Sequence, residues 1–270
     1  MPSAIVNGVR IHYEDTGHGE PVVLVMGRGA RGRAWHLHQV PALVEAGYRV
    51  VTFDNRGVPP SEECPGGFTV DDLVGDTAGL VEHLGLGPCR LVGVSMGAYV
   101  VQELMLRRPR LVRQGVLMAT RGRTDHLRSA MAAAERALYD GAVTLPPAYA
   151  AWVRALTNLS PATLDDEQRV RDWLELFELS PEPAGPGVRA QLGLELPQGR
   201  LEAYRAIDVS CLVIGFADDV VLPPHLGREV AEAVPGALYQ EIKGCGHYGY
   251  LERPDEVNRV LLEFFRNCSA

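Results

Sequence analysis

The stretch LVGVSMGAYV, Leu91–Val100, runs apolar into Gly93-Val94-Ser95-Met96-Gly97 and then takes on a helical pattern. A short apolar run reads as a strand buried on both faces. A serine between two glycines at a strand-to-helix junction has two readings. One is a tight turn with an idle hydroxyl. The other is a nucleophile elbow, where the glycines let backbones pack closely and the hydroxyl projects from the C-terminal edge of a sheet. The helix starting at Met96 would add its dipole at that edge.

Outward from this junction the chain alternates. Asn7-Gly8, between Ala4-Ile5-Val6 and Val9–Tyr13, signals an N-terminal hairpin. Strands are predicted at Pro21–Met26, Arg49–Asp54, Arg90–Val94, Gly115–Ala119, 210–214 and Ala237–Ile242. Helices are predicted at Pro41–Gly47, Thr69–Leu84, Met96–Arg107, Pro224–Ala233 and Pro254–Phe265, with Pro41 in a first turn and Thr69 or Asp71 as a cap. This is the pattern of an α/β fold, a mostly parallel sheet with helices on both faces. Residues 121–205 break it. Ser129–Tyr139, Pro147–Leu156 and Asp165–Leu179 read as helices, Pro181–Gly187 is rich in Pro and Gly, and no buried strand is evident. The expected organisation is one core made of 1–120 and 206–270, with 121–205 as an inserted helical lid.

With 270 residues and a net charge of −8, the chain is a poor match for nucleic acid or an anionic membrane surface as main partner. Lys243 is the one lysine among twenty-six basic residues, and scattered arginines mainly solubilise a surface. The cysteines (Cys64, Cys89, Cys211, Cys245, Cys268) are odd in number and lack CxxC or Cys/His spacing, so free thiols in a reducing cytoplasm are expected, without a metal centre. The N-terminus lacks a basic segment followed by an apolar one, and no apolar run approaches the roughly 20 residues of a membrane span.

A serine hydroxyl needs a base to take its proton. His247, in Gly244-Cys245-Gly246-His247-Tyr248, follows a predicted strand and precedes the last helix, which puts it in a loop at the sheet edge. His12 falls in the hairpin, His36 and His38 just before a helix, and His225 at a helix start, so they fit less well. The base in turn needs a carboxylate to fix its tautomer. Asp218 and Asp219, after the strand at 210–214, both qualify by position.

The chain order Ser…Asp…His, the elbow and the closing Gly-x-Gly-His…Glu-Arg-Pro (244–254) resemble the α/β-hydrolase superfamily. Asp54-Asn55-Arg56-Gly57 resembles its Asp-x-Arg-Gly turn. GFADDVVLPPHLGREVAEAVPGA (Gly215–Ala237) resembles actinobacterial hydrolases often labelled non-haem bromoperoxidase-like, many from natural-product clusters. The resemblance implies an acid four residues before a proline, hence Asp219 from Pro223, while its Gly-x-x-Asp pattern points to Asp218 as the alternative. It implies an oxyanion loop at Met26-Gly27-Arg28, where Met26 replaces the customary histidine. The implied donors are the backbone N–H groups of Arg28 and Met96. Val58-Pro59-Pro60 is a second departure. Asp54 and Arg56 are expected to pair and hold their loop rather than act chemically.

Gly27-x-Gly29-x-x-Gly32 with Asp54 about 20 residues later also outlines a dinucleotide fingerprint. Such a site must open a helix within its glycine run, whereas the helix here is expected near Pro41. It also leaves the segments of Ser95, Asp219 and His247 unused, so no cofactor is expected.

The implied chemistry is acyl transfer through an acyl-enzyme on Ser95, with a small-molecule ester or thioester as substrate. Water as acceptor gives an esterase or thioesterase. A thiol, amine or peptide acceptor gives an acyltransferase, for instance one taking an aromatic acyl group from a carrier protein. Some members of the fold are instead ligand receptors or signalling partners. A serine nucleophile excludes the epoxide and haloalkane branches, which use a carboxylate. Trp35, Tyr149, Trp152 and Trp173 are candidates for a substrate pocket, set against the reading of lid aromatics, Phe177 included, as packing.

Overall fold

The computed structural model describes residues 2–180, 185–195 and 197–267. The apolar runs pair into one sheet of β1 (Ser3–Val6), β2 (Val9–Gly17), β3 (Glu20–Val25), β4 (Tyr48–Phe53), β5 (Cys89–Val94), β6 (Val112–Met118), β7 (Ser210–Phe216) and β8 (Leu238–Ile242). The order is β1-β2-β4-β3-β5-β6-β7-β8. β1–β2 and β2–β4 are antiparallel, and every later pairing is parallel. Asn7 and Gly8, both at positive φ, close the β1–β2 turn.

The helices, in chain order, are α1 (Gln39–Glu45), α2 (Val70–His83), α3 (Met96–Arg107), α4 (His126–Asp140), α5 (Pro147–Asn158), α6 (Pro161–Leu164), α7 (Glu167–Leu179), α8 (Pro186–Leu192), α9 (Arg200–Ala203), α10 (Pro224–Ala233), α11 (Gly249–Glu252) and α12 (Pro254–Asn267). A 3-10 turn, Gly32–Leu37, precedes α1, which opens two residues earlier than Pro41. Thr69 caps α2 in a capping box with Asp72.

Strand alternation sorts the core. Val23, Val25, Phe53 and Leu91 face α2, α3 and α10; Val22, Leu24, Val92 and Val94 face α1 and α12. Both sides are covered, which is why the strands read as unbroken apolar runs.

Between β6 and β7 the described residues are helical or irregular. Ala151, Ala155, Leu159 and Phe177 form a separate small core there, with Trp173 and Tyr248 packed on it. Tyr204, near the end of the insertion, is already fully buried in the main core. Of the Pro/Gly stretch 181–187, residues 181–184 lie outside the described residues, and Pro186 and Gly187 open α8. Among the described residues no helix is long and apolar enough to cross a membrane.

β5 meets α3 at Ser95, which sits at φ 55° and ψ −118°. A non-glycine residue held there stores about 1–3 kcal/mol. Its neighbours explain the geometry. A Cβ on Gly93 would collide with the Gly97 backbone, and one on Gly97 with the Val25 carbonyl of β3. Backbone lies against backbone, so nothing flexible can yield. Gly97→Ala is expected to destabilise the fold by about 2–3 kcal/mol or to prevent folding, read from the midpoint of urea unfolding.

Candidate active site

Besides Ser95 after β5, the C-terminal edge of the sheet carries three loops, after β3, β7 and β8. The first follows β3. An ideal Cβ on Gly27 would lie 3.3 Å from the Ser95 Cβ, so the Met26-Gly27-Arg28 backbone passes directly beside the serine. Asn55 donates its Nδ2–H to the Met26 carbonyl at 2.9 Å, and Gly29 N–H donates to Gln191 Oε1 at 2.7 Å. Between these fixed points the Arg28 N–H has no acceptor among the described residues, and neither has the Met96 N–H at the start of α3. The Met26 side chain is fully buried in the α1/α12 face. It fills apolar space, and Asn55 and Gln191 support the loop.

The second loop follows β7. Asp219 is 3% exposed and its Oδ2 lies 2.8 Å from His247 Nδ1. Its Oδ1 accepts the N–H groups of Val221 and Leu222, both at 2.8 Å. With a carboxylate on Nδ1, that nitrogen carries the proton and Nε2 is left as the acceptor; the network assigns the tautomer. Asp218, the alternative, makes only a backbone contact here, its N–H to the Cys245 carbonyl. Of the two aspartates, Asp219 is the one brought to the histidine.

The third loop carries His247, and the Gly-x-Gly-His…Glu-Arg-Pro motif holds itself in place. Glu252 Oε2 accepts the Gly246 N–H at 2.6 Å, and Arg253 Nε donates to the Gly244 carbonyl. Glu252 Oε1 accepts both the N–H and the hydroxyl of Ser160 in the insertion. Tyr248 N–H donates to the Asn158 carbonyl, and Arg154 Nε to the Tyr248 hydroxyl.

Asp54 and Arg56 do not pair, contrary to expectation. Arg56 makes a two-pronged pair with Asp76 at 2.5 Å, both groups buried. Asp54 accepts the Gly32 N–H at 2.7 Å and faces His12 Nδ1 at 3.2 Å. Asp76 lies on α2, one helix away in sequence, so the partner was hidden from local spacing. Burial raises the pKa of both carboxylates against the pull of their partners. Asp54 is buried and already engaged by Gly32, so it is not presented to a ribose as a dinucleotide site requires.

The candidate pocket aromatics separate. Trp35 is fully buried, its ring 5.0 Å from that of Tyr250, and belongs to the core rather than to a pocket wall. Trp173 packs on Phe177 and Tyr248 in the small core of the insertion, beside the histidine loop. Tyr149 and Trp152 meet at a tilt on α5, ring centroids 5.4 Å apart, each about half exposed.

Comparison with known proteins agrees with this fold. Residues 22–260 match the model of the alpha/beta hydrolase family, and the chain belongs to that family. Among individual proteins it is 51% identical to the protein named non-heme bromoperoxidase BpoC of Mycobacterium tuberculosis, over 97% of this chain and all of the relative. The crystal structure of BpoC from strain H37Rv superposes with a TM-score of 0.94 at 52% identity, covering 96% of this chain and 97% of that one. A thermophilic esterase from Thermogutta terrifontis, solved with malate bound, matches with a TM-score of 0.85 at 26% identity over the full length of both chains. The enol-lactonase of Burkholderia xenovorans matches with a TM-score of 0.81 at 27% identity, over 98% and 100%.

Sequence reasoning missed Gln191, Asn55 and Glu252. Gln191 is 3% exposed and bridges two loops, since its Nε2–H donates to the Arg56 carbonyl at 2.8 Å while Oε1 holds Gly29. Nothing local in the sequence marks it, because its partners lie on the loops after β3 and β4. Gln191→Met preserves volume and leaves a buried N–H and a buried carbonyl unpaired. It is expected to cost about 2 kcal/mol or more, measured by chemical denaturation.

Proposed function

We propose that the chain is a serine hydrolase of small carboxylic esters or thioesters, working through an acyl-enzyme. One observation carries the reading: the His247–Asp219 pair stands at the same sheet edge as a serine held in the left-handed region between two glycines that leave no room for a Cβ. Ser95 Oγ attacks the carbonyl carbon while Nε2 of neutral His247 takes its proton. Asp219 orients the imidazole and balances the charge it gains. The Arg28 and Met96 N–H groups receive the developing oxyanion, each donor contributing about 3 kcal/mol. His247 then gives its proton to the leaving group, takes one from water as that water attacks the acyl carbon, and returns it to Ser95 Oγ as the C–O bond breaks and the acid leaves. Helices α4–α9 act as a lid that excludes bulk water, with Trp173 contributing to its core.

The names of the esterase and the enol-lactonase support water as the acceptor. Transfer to a thiol, amine or peptide, or from an acyl-carrier protein in secondary metabolism, would use the same three residues. The two differ only in what deacylates Ser95.

Intact-mass analysis after a fluorophosphonate probe is expected to show one adduct, on Ser95, absent in Ser95→Ala. A panel of oxygen esters, thioesters and acyl-carrier thioesters, with and without thiol or amine acceptors, then identifies the acyl group and its acceptor. Asp219→Asn is expected to lower kcat by about 10⁴-fold. Asp218→Asn should stay within about twofold. Equal losses in the two variants would sink the assignment of the acid.

A further inference from the structure

Arg121 stands three residues beyond Met118, whose carbonyl accepts the Ser95 N–H at 2.9 Å. It is half-buried, yet its guanidinium has no hydrogen-bond or ion-pair partner among the described residues. Its backbone is fixed. Ala119, two residues before it, is held at φ 48°, with its N–H on the Ile214 carbonyl. Gln102, fully buried on α3, donates to the Arg121 carbonyl and to the Tyr204 hydroxyl, and receives the Thr120 hydroxyl.

The charges around it do not balance. Burial pulls the Arg121 pKa below that of a free arginine; Asp125 and Tyr99 oppose this, and Arg128 and Arg28 add to it. Both neighbouring arginines are already matched, Arg28 to Glu135 at 2.7 Å and Arg128 to Asp125 at 2.9 Å. Asp125 is further engaged by the Arg128 N–H. Three guanidinium groups thus share two carboxylates, and the surplus positive charge falls on Arg121. Arg28 follows β3 and Arg121 follows β6, so this surplus lies at the sheet edge that carries Ser95. A half-buried cation without a counter-ion has lost part of its hydration with nothing in return, and a planar guanidinium is matched by a carboxylate through two parallel hydrogen bonds.

We infer that Arg121 binds a carboxylate carried on the acyl chain of the substrate, so that the enzyme cleaves monoesters of dicarboxylic acids. The inference rests on the acyl-enzyme reading of Ser95. A carboxylate on the acyl chain stays paired with Arg121 through both half-reactions, whereas one on the leaving group would depart after the first.

The test compares mono-4-nitrophenyl esters of succinate, glutarate and adipate with neutral 4-nitrophenyl esters of matched length, each corrected with Ser95→Ala. At least one monoester is expected to exceed its neutral counterpart by tenfold or more in kcat/KM. Arg121→Gln should remove that ratio and Arg121→Lys should keep part of it. A wild-type ratio near one, or a ratio unchanged in Arg121→Gln, overturns the assignment. If Arg121→Gln does not fold, protection of wild-type Ser95 from the fluorophosphonate decides. Succinate, glutarate or adipate should protect where the corresponding diamide does not; equal protection overturns it. Failure of the probe to label wild-type Ser95 overturns the acyl-enzyme reading and this inference together, whereas labelling without anion preference overturns only the inference.

Discussion

The crossing of β3, β5 and the first turn of α3 is the constraint from which the rest follows. Backbone meets backbone there, and no side chain fits at Gly93 or Gly97. This contact forces Ser95 into the left-handed region and aims it out of the sheet. The same contact brings the end of β3 alongside, so the Gly27 backbone and the serine become neighbours without any side chain arranging it. Close packing, which elsewhere contributes only stability, here sets the position of a reactive group.

Around that rigid centre the remaining parts are held by polar contacts, many of them from the insertion. Gln191 of α8 holds the loop after β3, and Arg128 of α4 donates to the Val220 and Val221 carbonyls beside Asp219. Ser160 and Asn158 hold the loop of His247. A stretch that interrupts the α/β alternation in sequence thus touches each loop at the sheet edge. The backbone groups it satisfies are those that loops above a sheet would otherwise leave to water.

How much of this was legible from sequence depended on the range of the interaction. Strands and helices of the core came from local periodicity, and α3 and α10 matched residue for residue. The places of Ser95 and His247 at turns beyond strands were legible because glycine patterns mark those turns, and the pairing of His247 with Asp219 rather than Asp218 followed the family resemblance, which counts back from Pro223. The partner of Arg56 was not legible. Asp54 was two residues away and Asp76 twenty, and only the fold decides between them. Trp35 shows the same limit, since nothing local tells a buried ring from a pocket wall. Gln191, Glu252 and Arg121 act through partners, or through the lack of one, set by distant segments.

The Glu252 carboxylate, shared between Gly246 and Ser160, bears on how such a protein is inherited and rebuilt. Half of its bonding belongs to the core and half to the insertion, so the two are not interchangeable cassettes. Any helical segment transplanted between β6 and β7 must bring its own donor for that oxygen, and its own carbonyl for Tyr248, or the histidine loop loses its anchorage. Divergence in the insertion is therefore free on its outer faces and tied at these two points, where core and graft have to change together.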